Sequence, residues 1–330
     1  MTRRESRAAP PSRPAVAVLG GTGWVGRHVC AALARRGHDV LVVARRPAPH
    51  VAAHRFAGLD LRTTPADHLA RLLRAEGVGT VVNATDAANA TDGWSGSEEE
   101  MAVLNVDLVR RLVAAMSTLP HGSRLVHVGT LHEYGDVPPG TVMHEALTPR
   151  PASAYTRTKL AGSRTVLEAA RRGEVDGLVL RLANVSGPHP SPASFPGKLV
   201  GMLREAVASG RPMTVGVTDS GRDFVDVRDA AAAVVGAVGS SVTGKVVNIG
   251  GGRAVSMDEL VRLFVVGAGF PLGRLDARRR EVGSLGGSWT RADIRLAGEL
   301  LHWRPRIDLA RSLRDMWETA EAERRTTGPV

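Results

Sequence analysis

A glycine-rich turn directly after a short apolar run is the feature that most narrows the folds open to this chain. Residues 16–19 are all apolar, as in a strand buried on both faces, and glycines follow at once. Beyond the turn, apolar side chains recur at helical spacing until Gly37, and residues 40–43 form a second apolar run. The pattern predicts a strand, a helix and a second strand, which together open a parallel α/β sheet.

The same alternation continues over more than half of the chain. Helices are predicted near 67–75, 99–116 and 154–170, and strands at 80–83, 124–128 and 177–182. Alternation of this kind is typical of an α/β, Rossmann-type, doubly wound parallel sheet. From about Gly187 onward prolines and glycines become frequent and the elements become shorter, which indicates a smaller C-terminal lobe.

These patterns also suggest how the chain is divided. We expect residues 1–13 to form a flexible tail, 14–186 to form the Rossmann domain, and 187–330 to form mainly a substrate-binding lobe. A strand at 245–249 should return to the sheet. Segments around 223–250 therefore belong with the first domain, and the second lobe is interleaved with it.

Composition argues against several other classes of protein. The chain has 330 residues, of which 23% are charged and 43% apolar, and no apolar run approaches the roughly 18 residues of a membrane span. The single Cys30 excludes an internal disulfide and a cysteine-based metal cluster, which favours a reducing compartment and a cytoplasmic protein. The net charge is +10, but it is scattered along the chain, so we expect no nucleic-acid partner, and no metal.

The glycines are spaced Gly20-x-x-Gly23-x-x-Gly26, between the predicted strand and helix. In that position glycines let the backbone approach a pyrophosphate, whose charge the helix N-terminus favours. The motif therefore predicts a dinucleotide cofactor. A tight strand-to-helix turn without a ligand would use the same residues.

The end of the second strand favours one cofactor over another. Proteins that bind NAD usually carry an acidic residue there, for the ribose hydroxyls of adenosine. This chain has Ala44-Arg45-Arg46 instead. Guanidinium groups bind phosphate in a bidentate way, so Arg45 and Arg46 predict a 2'-phosphate and hence NADP(H). The alternative is a solvated basic turn in an arginine-rich protein.

Three polar residues form a candidate catalytic set. Tyr155 and Lys159 lie four apart on a predicted helix, so their side chains project from one face. A neighbouring ammonium should lower the pKa of the phenol and suit it to acid–base work. Thr130 follows the strand 124–128, at the sheet edge that faces the ligand crevice. Its hydroxyl can bond a substrate carbonyl, although a polar residue at a strand end needs no such role.

Taken together, the motifs resemble the extended short-chain dehydrogenase/reductase family, also described as NAD-dependent epimerases and dehydratases. The resemblance covers about residues 15–320 and includes Asn105-Val106, the segments 130–135, 181–188, 222–227 and 248–250, and the terminal 302–305. It implies the Rossmann fold, a nucleotide-sugar substrate and catalysis by Thr130, Tyr155 and Lys159. The helices 101–116 and 154–170 are similar to those that pair subunits into homodimers.

The resemblance also implies which residues bind which ligand. The implied cofactor contacts are Gly20, Thr22, Gly23, Trp24, Val25, Arg45, Arg46, Asp60, Leu61, Asn83, Ala84, Thr85, Asn105, Tyr155, Lys159, Leu182, Asn184 and Val185. The implied substrate contacts are Thr130, His132, Asn184 and Arg222, with Arg222 on the diphosphate. His132 is either a second acid–base group or a residue that only lines the cleft.

Departures from the family pattern narrow the expected chemistry. Dehydratases of this family carry an Asp-Glu pair after the catalytic Thr, where this chain has Leu131 and His132, so elimination of water is not expected. With NADP(H) as cofactor, net reduction is favoured. The segments 82–84, 98–101, 129–135 and 222–227 resemble dTDP-4-keto-6-deoxyhexose ketoreductases of actinomycete antibiotic-sugar pathways. The alternatives are a redox-neutral nucleotide-sugar epimerase and a non-catalytic cofactor sensor on the same fold.

Overall fold

The computed structural model describes residues 14–86, 97–120, 122–279 and 287–327, so the predicted tail 1–13 lies outside the described residues. The strands are β1 (Ala15–Leu19), β2 (Val40–Ala44), β3 (Arg55–Gly58), β4 (Val78–Asn83), β5 (Arg124–Thr130), β6 (Asp176–Leu182), β7 (Asn184–Ser186), β8 (Met213–Val217), β9 (Gly221–Asp226), β10 (Lys245–Ile249), β11 (Ala254–Ser256) and β12 (Leu275–Arg279). The α-helices are α1 (Trp24–Arg35), α2 (Ala66–Ala75), α3 (Glu98–Ala102), α4 (Leu108–Met116), α5 (Ala154–Arg171), α6 (Phe195–Ser209), α7 (Val227–Gly239), α8 (Met257–Gly267), α9 (Arg295–Leu301) and α10 (Leu309–Thr327).

The central sheet is parallel and doubly wound, which confirms the predicted fold class. Its order is β10-β6-β5-β4-β1-β2-β3, and every neighbouring pair is parallel. The chain runs outward from β1 in one direction and then from β4 in the other. The strand order therefore reverses between β1 and β4, and a crevice opens at that switch point beyond the carboxyl ends of the strands. The edge strand β3 was not predicted from the sequence.

Both faces of the sheet are covered, because its strands carry apolar side chains in both directions. Along β1, Val16 and Val18 point into one hydrophobic core with α1 and α7, whereas Ala17 and Leu19 point into a second core with α2, α4 and α5. The alternation follows from the two-residue period of a strand. It explains why the sequence shows an uninterrupted apolar run here.

The predicted helix 99–116 contains a π-helical turn, Val103–Asp107, between α3 and α4. The turn packs against α5 at Gly162, where an added Cβ would lie 2.1 Å from the backbone oxygen of Asn105. Of the apolar stripe on this helix, Met101, Leu108 and Leu112 are buried within the subunit. Burial in one chain therefore accounts for much of the stripe, and the homodimer stays a prediction.

Replacing Gly162 with alanine tests this close approach of two helices. We expect Gly162→Ala to lower the free energy of unfolding by about 1–3 kcal/mol, because the new methyl group must displace a backbone carbonyl. The matched control is Gly201→Ala, in the exposed interior of α6, where an added Cβ meets no atom within 4 Å. That change should stabilise the protein by about 0.5–1 kcal/mol. Urea unfolding of both variants measures the difference, and equal effects would contradict the packing argument.

The last third of the chain alternates between two hydrophobic cores. Helices α6, α8 and α10 enclose a third core together with β8 and β12. Between them, α7 and β10 return to the central sheet, and α9 follows them there with Leu301 and Trp303. The part of the chain that returns to the central sheet is thus larger than the predicted 223–250 and also includes core residues between Ala292 and Trp303. Whether the chain divides into domains at residue 187 stays a prediction.

Within the described ranges, no helix combines the length and apolarity that crossing a bilayer requires.

Candidate active site

A cleft of about 1330 Å³ lies beyond the carboxyl ends of the central strands, between the sheet and the C-terminal lobe. Its wall brings together most of the residues singled out from the sequence. They are Gly20, Thr22, Gly23, Trp24, Val25, Arg45, Arg46, Asp60, Leu61, Ala84, Thr85, Thr130, His132, Tyr155, Lys159, Leu182, Asn184, Val185 and Arg222. Which of them contact a ligand stays a prediction.

The glycine turn forms one end of the cleft, and its backbone demands glycine at two points. Gly20 has a φ of +76°, and a Cβ there would lie 2.9 Å from the oxygen of Ala84. A Cβ on Gly26 would lie 2.1 Å from the oxygen of Gly20. Among the described residues, no side chain caps α1, so its first N–H groups face the turn without a side-chain acceptor. This cradle fits a pyrophosphate.

Arg45 and Arg46 lie next to the glycine turn, immediately after β2. Both side chains are exposed and both line the cleft. Neither takes part in an ion pair within the part of the chain that the structure describes. Two guanidinium groups thus lie at the strand end where an NAD-binding protein carries an acid, and their chemistry fits a 2'-phosphate.

Asn83 and Asn105 are not among the residues that line the cleft, and their contact with the cofactor stays a prediction. Asn83 is fully buried, and its Oδ1 accepts hydrogen bonds from the backbone nitrogen and the hydroxyl of Thr85 at 3.2 and 2.7 Å. Asn105 donates to the hydroxyl of Thr158 at 3.0 Å, on the side where the helix 98–116 meets α5. Their side chains shape the elements that carry cleft residues.

The candidate catalytic residues meet on one wall of the cleft. Ser153 caps α5 by accepting a hydrogen bond from the backbone nitrogen of Thr156, which starts the helix just before Tyr155. Tyr155 and Lys159 are 6% and 3% exposed and lie one helical turn apart. The ammonium of Lys159 donates to the backbone oxygen of Val128 at 2.8 Å, which ties α5 to β5.

The environment of Tyr155 differs from the one expected. Burial, the carboxylate of Asp86 and the charge of Glu133 raise the pKa of the Tyr155 phenol well above its ordinary value. The phenol donates to Oδ2 of Asp86 at 3.0 Å. Burial comes first among these causes and the two acids follow, Lys159 is not among them, and the effect of Lys159 on the phenol stays a prediction. Reasoning from sequence missed Asp86, although an acid three residues after a strand that ends at the crevice was a usable signal.

A buried ion pair fixes the turn that carries Thr130, and the sequence analysis did not assign it. Glu133 is fully buried in the turn Leu131–Tyr134, and its Oε2 accepts from Nε of Arg181 at 2.8 Å. Its Oε1 accepts from the backbone nitrogen of Thr130 and the hydroxyl of Ser163, both at 3.0 Å. Satisfied on both oxygens, this carboxylate holds the 3₁₀ turn against β6 and α5.

Two further residues connect the catalytic wall with the lobe. Oδ1 of Asn184 lies 3.3 Å from Nε2 of His132 and accepts a hydrogen bond when that nitrogen carries a proton, and Nδ2 of Asn184 donates to the backbone oxygen of Asp223. Arg222 lines the cleft, and burial lowers the pKa of its guanidinium to about 10, so it remains charged at neutral pH. A buried cation in this position suits a diphosphate. Both hypotheses for His132 stay open.

The opposite wall comes from the lobe and was not predicted residue by residue. It includes Ser194, Phe195 and Lys198 at the start of α6, and Thr218 and Ser220 before β9. These residues carry no recognisable spacing, so only the fold could bring them to the cleft. The described residues contain no group of three or more His, Cys, Asp or Glu side chains that could hold a metal ion.

Comparison with known proteins identifies a matching family, similar proteins and a similar solved structure. Residues 16–250 match the family described as the NAD dependent epimerase/dehydratase family. A dTDP-6-deoxy-L-talose 4-dehydrogenase (NAD(P)(+)) from Kitasatospora kifunensis is 35% identical, over 98% of this chain and 99% of that protein. A UDP-glucose 4-epimerase from Yersinia pestis is 26% identical, over 92% of this chain and 96% of that protein. The solved structure of MoeE5 in complex with UDP-glucuronic acid and NAD has a TM-score of 0.80 at 28% identity, and covers 94% of this chain and 99% of that one.

Proposed function

This chain belongs to the NAD dependent epimerase/dehydratase family of extended short-chain dehydrogenase/reductases, and we propose that it uses NADPH to reduce a keto group of a dTDP-linked deoxyhexose, at C4 of the sugar. The observation that carries the proposal is that one cleft contains both the implied cofactor-binding residues and the implied catalytic residues. It holds the glycine cradle and Arg45–Arg46 at one end and Thr130, Tyr155 and Lys159 on the adjacent wall.

The substrate class is supported by the relatives and by charge. The Kitasatospora relative is named for a 4-dehydrogenase acting on a dTDP-linked 6-deoxyhexose, and it matches this chain over nearly its whole length. Arg222 and Lys198 line the lobe side of the cleft and supply cations for a nucleoside diphosphate. The carbon reduced is proposed by analogy with that relative.

In this proposal each catalytic side chain has a separate task. NADPH, when bound, supplies a hydride to the carbonyl carbon. The hydroxyl of Thr130 donates a hydrogen bond to the carbonyl oxygen, and Tyr155 gives that oxygen its proton. Lys159 lies one turn from Tyr155, where it can hold the ribose hydroxyls of the cofactor. Glu133 keeps Thr130 in place through the backbone bond described above.

A coupled assay tests the proposal directly. Purified protein is given a dTDP-4-keto-6-deoxyhexose with NADPH or NADH, cofactor oxidation is followed by absorbance, and the product ring is assigned by NMR. Stoichiometric loss of NADPH with a new C4 hydroxyl is the expected result. Conversion of a sugar nucleotide without net oxidation of either cofactor would establish the epimerase alternative instead.

The proposal also includes a homodimer, and sedimentation velocity would measure the mass of the assembly in solution.

A further inference from the structure

The phenol of Tyr155 donates a hydrogen bond to the carboxylate of Asp86, which is partly exposed to solvent. Tyr155 is 6% exposed, whereas Asp86, which follows the end of β4, is only half-buried. Their oxygens are 3.0 Å apart, with the phenol donating. Both side chains also line the cleft. A path for one proton therefore leads from the buried phenol to a group that solvent reaches.

Other charged or titratable groups lie near Tyr155, and each has a different partner. Glu133 is bonded to Arg181 on one oxygen and to a backbone nitrogen and a serine hydroxyl on the other. Lys159 donates to a backbone oxygen of β5, and His132 meets Asn184. The hydrophobic residues packed with the ring include Met101 and Ala154. Of these groups, Asp86 has the position suited to exchange a proton with the phenol.

We propose that Asp86 is a second acid–base group of this site, which acts through Tyr155 and returns a proton from solvent to its phenolate after each reduction. The inference rests on the proposed function, because only net reduction consumes a proton in every turnover. An enzyme that takes a proton from a hydroxyl and later gives it back needs no such supply.

The proton balance is as follows. In ketone reduction the carbonyl carbon gains a hydride and the carbonyl oxygen gains the proton of Tyr155, which leaves a phenolate. The carboxylate of Asp86 takes a proton from solvent and donates it to the phenolate oxygen. Phenol and carboxylate are restored, and one solvent proton has been consumed for each ketone reduced.

The electrostatics agree with a phenol that rests in its protonated form. Burial comes first and the Asp86 carboxylate second among the causes that raise the pKa of Tyr155. Because a negative charge disfavours phenolate, removing that charge should lower the pKa. Asp86→Asn keeps the shape of the side chain and a hydrogen-bonding partner for the phenol, so it removes the charge with little change in packing.

The first test measures the ionisation of the Tyr155 phenol and needs no substrate. The chain has two tyrosines, Tyr134 and Tyr155, so ultraviolet difference spectra recorded against pH resolve two phenol ionisations, and Tyr155→Phe identifies the one that belongs to Tyr155. In Asp86→Asn that ionisation should move to lower pH, whereas Asp219→Asn, which removes an acid from the exposed loop before β9, should leave it unchanged. An ionisation of Tyr155 that does not move in Asp86→Asn would overturn the proposal.

The second test measures proton supply during turnover. Asp86→Asn should lower kcat by about 10- to 100-fold, and formate or acetate should restore part of the loss in proportion to its acid form. Asp86→Glu should retain more activity than Asp86→Asn, and Asp219→Asn should match the wild type. Unchanged kcat in Asp86→Asn, or a loss that neither small acid relieves, would overturn the role in proton return. Failure of the wild type to oxidise NADPH would instead refute the proposed function, while the phenol titration would still test the contact.

Discussion

Tyr155→Phe should lower the turnover of ketone reduction by about 1000-fold while leaving the Kd for NADPH within about twofold. The hydroxyl is the proton donor of the proposed reaction, and phenylalanine removes that oxygen alone. The ring remains packed against Met101 and Ala154. Asp86 loses a hydrogen bond, but its half-buried carboxylate can bond water instead.

The second tyrosine provides the matched control. Tyr134 is 1% exposed and donates to Oδ1 of Asn248 at 2.9 Å, and Arg181 lies 4.4 Å from the centre of its ring. We expect Tyr134→Phe to cost about 1–3 kcal/mol in unfolding free energy, because a buried acceptor loses its donor, with kcat largely retained. Stopped-flow single turnovers and NADPH titration by fluorescence measure both variants. Retained turnover in Tyr155→Phe would refute the role of its hydroxyl.

Replacing Arg45 and Arg46 together by alanine should reverse the preference between the two cofactors. We expect the KM for NADPH to rise by about 100-fold and that for NADH to change little, because hydrogen bonds to a 2'-phosphate are charge-assisted and NADH lacks that group. Both arginines are exposed, so stability should hardly change.

The chain offers a matched pair of arginines for the control. Arg35 and Arg36 are adjacent and exposed at the end of α1, and they do not line the cleft. The Arg35→Ala/Arg36→Ala double variant removes the same charge from the same half of the protein and should keep the wild-type KM for both cofactors. If both double variants weaken NADPH equally, the effect is general electrostatics. A wild type that prefers NADH would refute the assignment of a 2'-phosphate site.

Local sequence patterns predicted the structural elements whose conformation depends on residues close together in the chain. Continuous apolar runs predicted the buried strands. The spacing of Gly20, Gly23 and Gly26 predicted a turn in which backbone atoms lie 2.1 to 3.2 Å from where a Cβ on these residues would be. The weakly apolar β3 carried no such signal, since its side chains are only half-buried at the sheet edge. The π-helical turn depends on the approach of α5, which helical periodicity does not report.

The same contrast between local patterns and contacts of distant residues holds for the candidate site. The residues at strand ends, the glycine turn and the Tyr155–Lys159 pair could be predicted from the sequence, because each pattern lies within a few consecutive residues. The bond between Tyr155 and Asp86 joins residues 69 positions apart, and the Glu133–Arg181 pair joins residues 48 apart. Neither pair is encoded by spacing. Both alter the chemistry, since the first adds to the rise that burial causes in the pKa of Tyr155 and the second holds Thr130. The electrostatics of the site therefore emerged only from the fold.

The repeated return of the C-terminal segments to the central sheet also constrains how such an enzyme can be redesigned. Helices α7 and α9 and strand β10 separate the pieces of polypeptide that form the lobe core. A lobe from a relative with another sugar preference therefore cannot be transplanted at one junction. A chimaera must exchange α6–β9, α8–β12 and α10 as separate cassettes while the intervening host segments are kept. Under the proposed function, exchange of one cassette at a time is the way to alter sugar specificity that this topology permits.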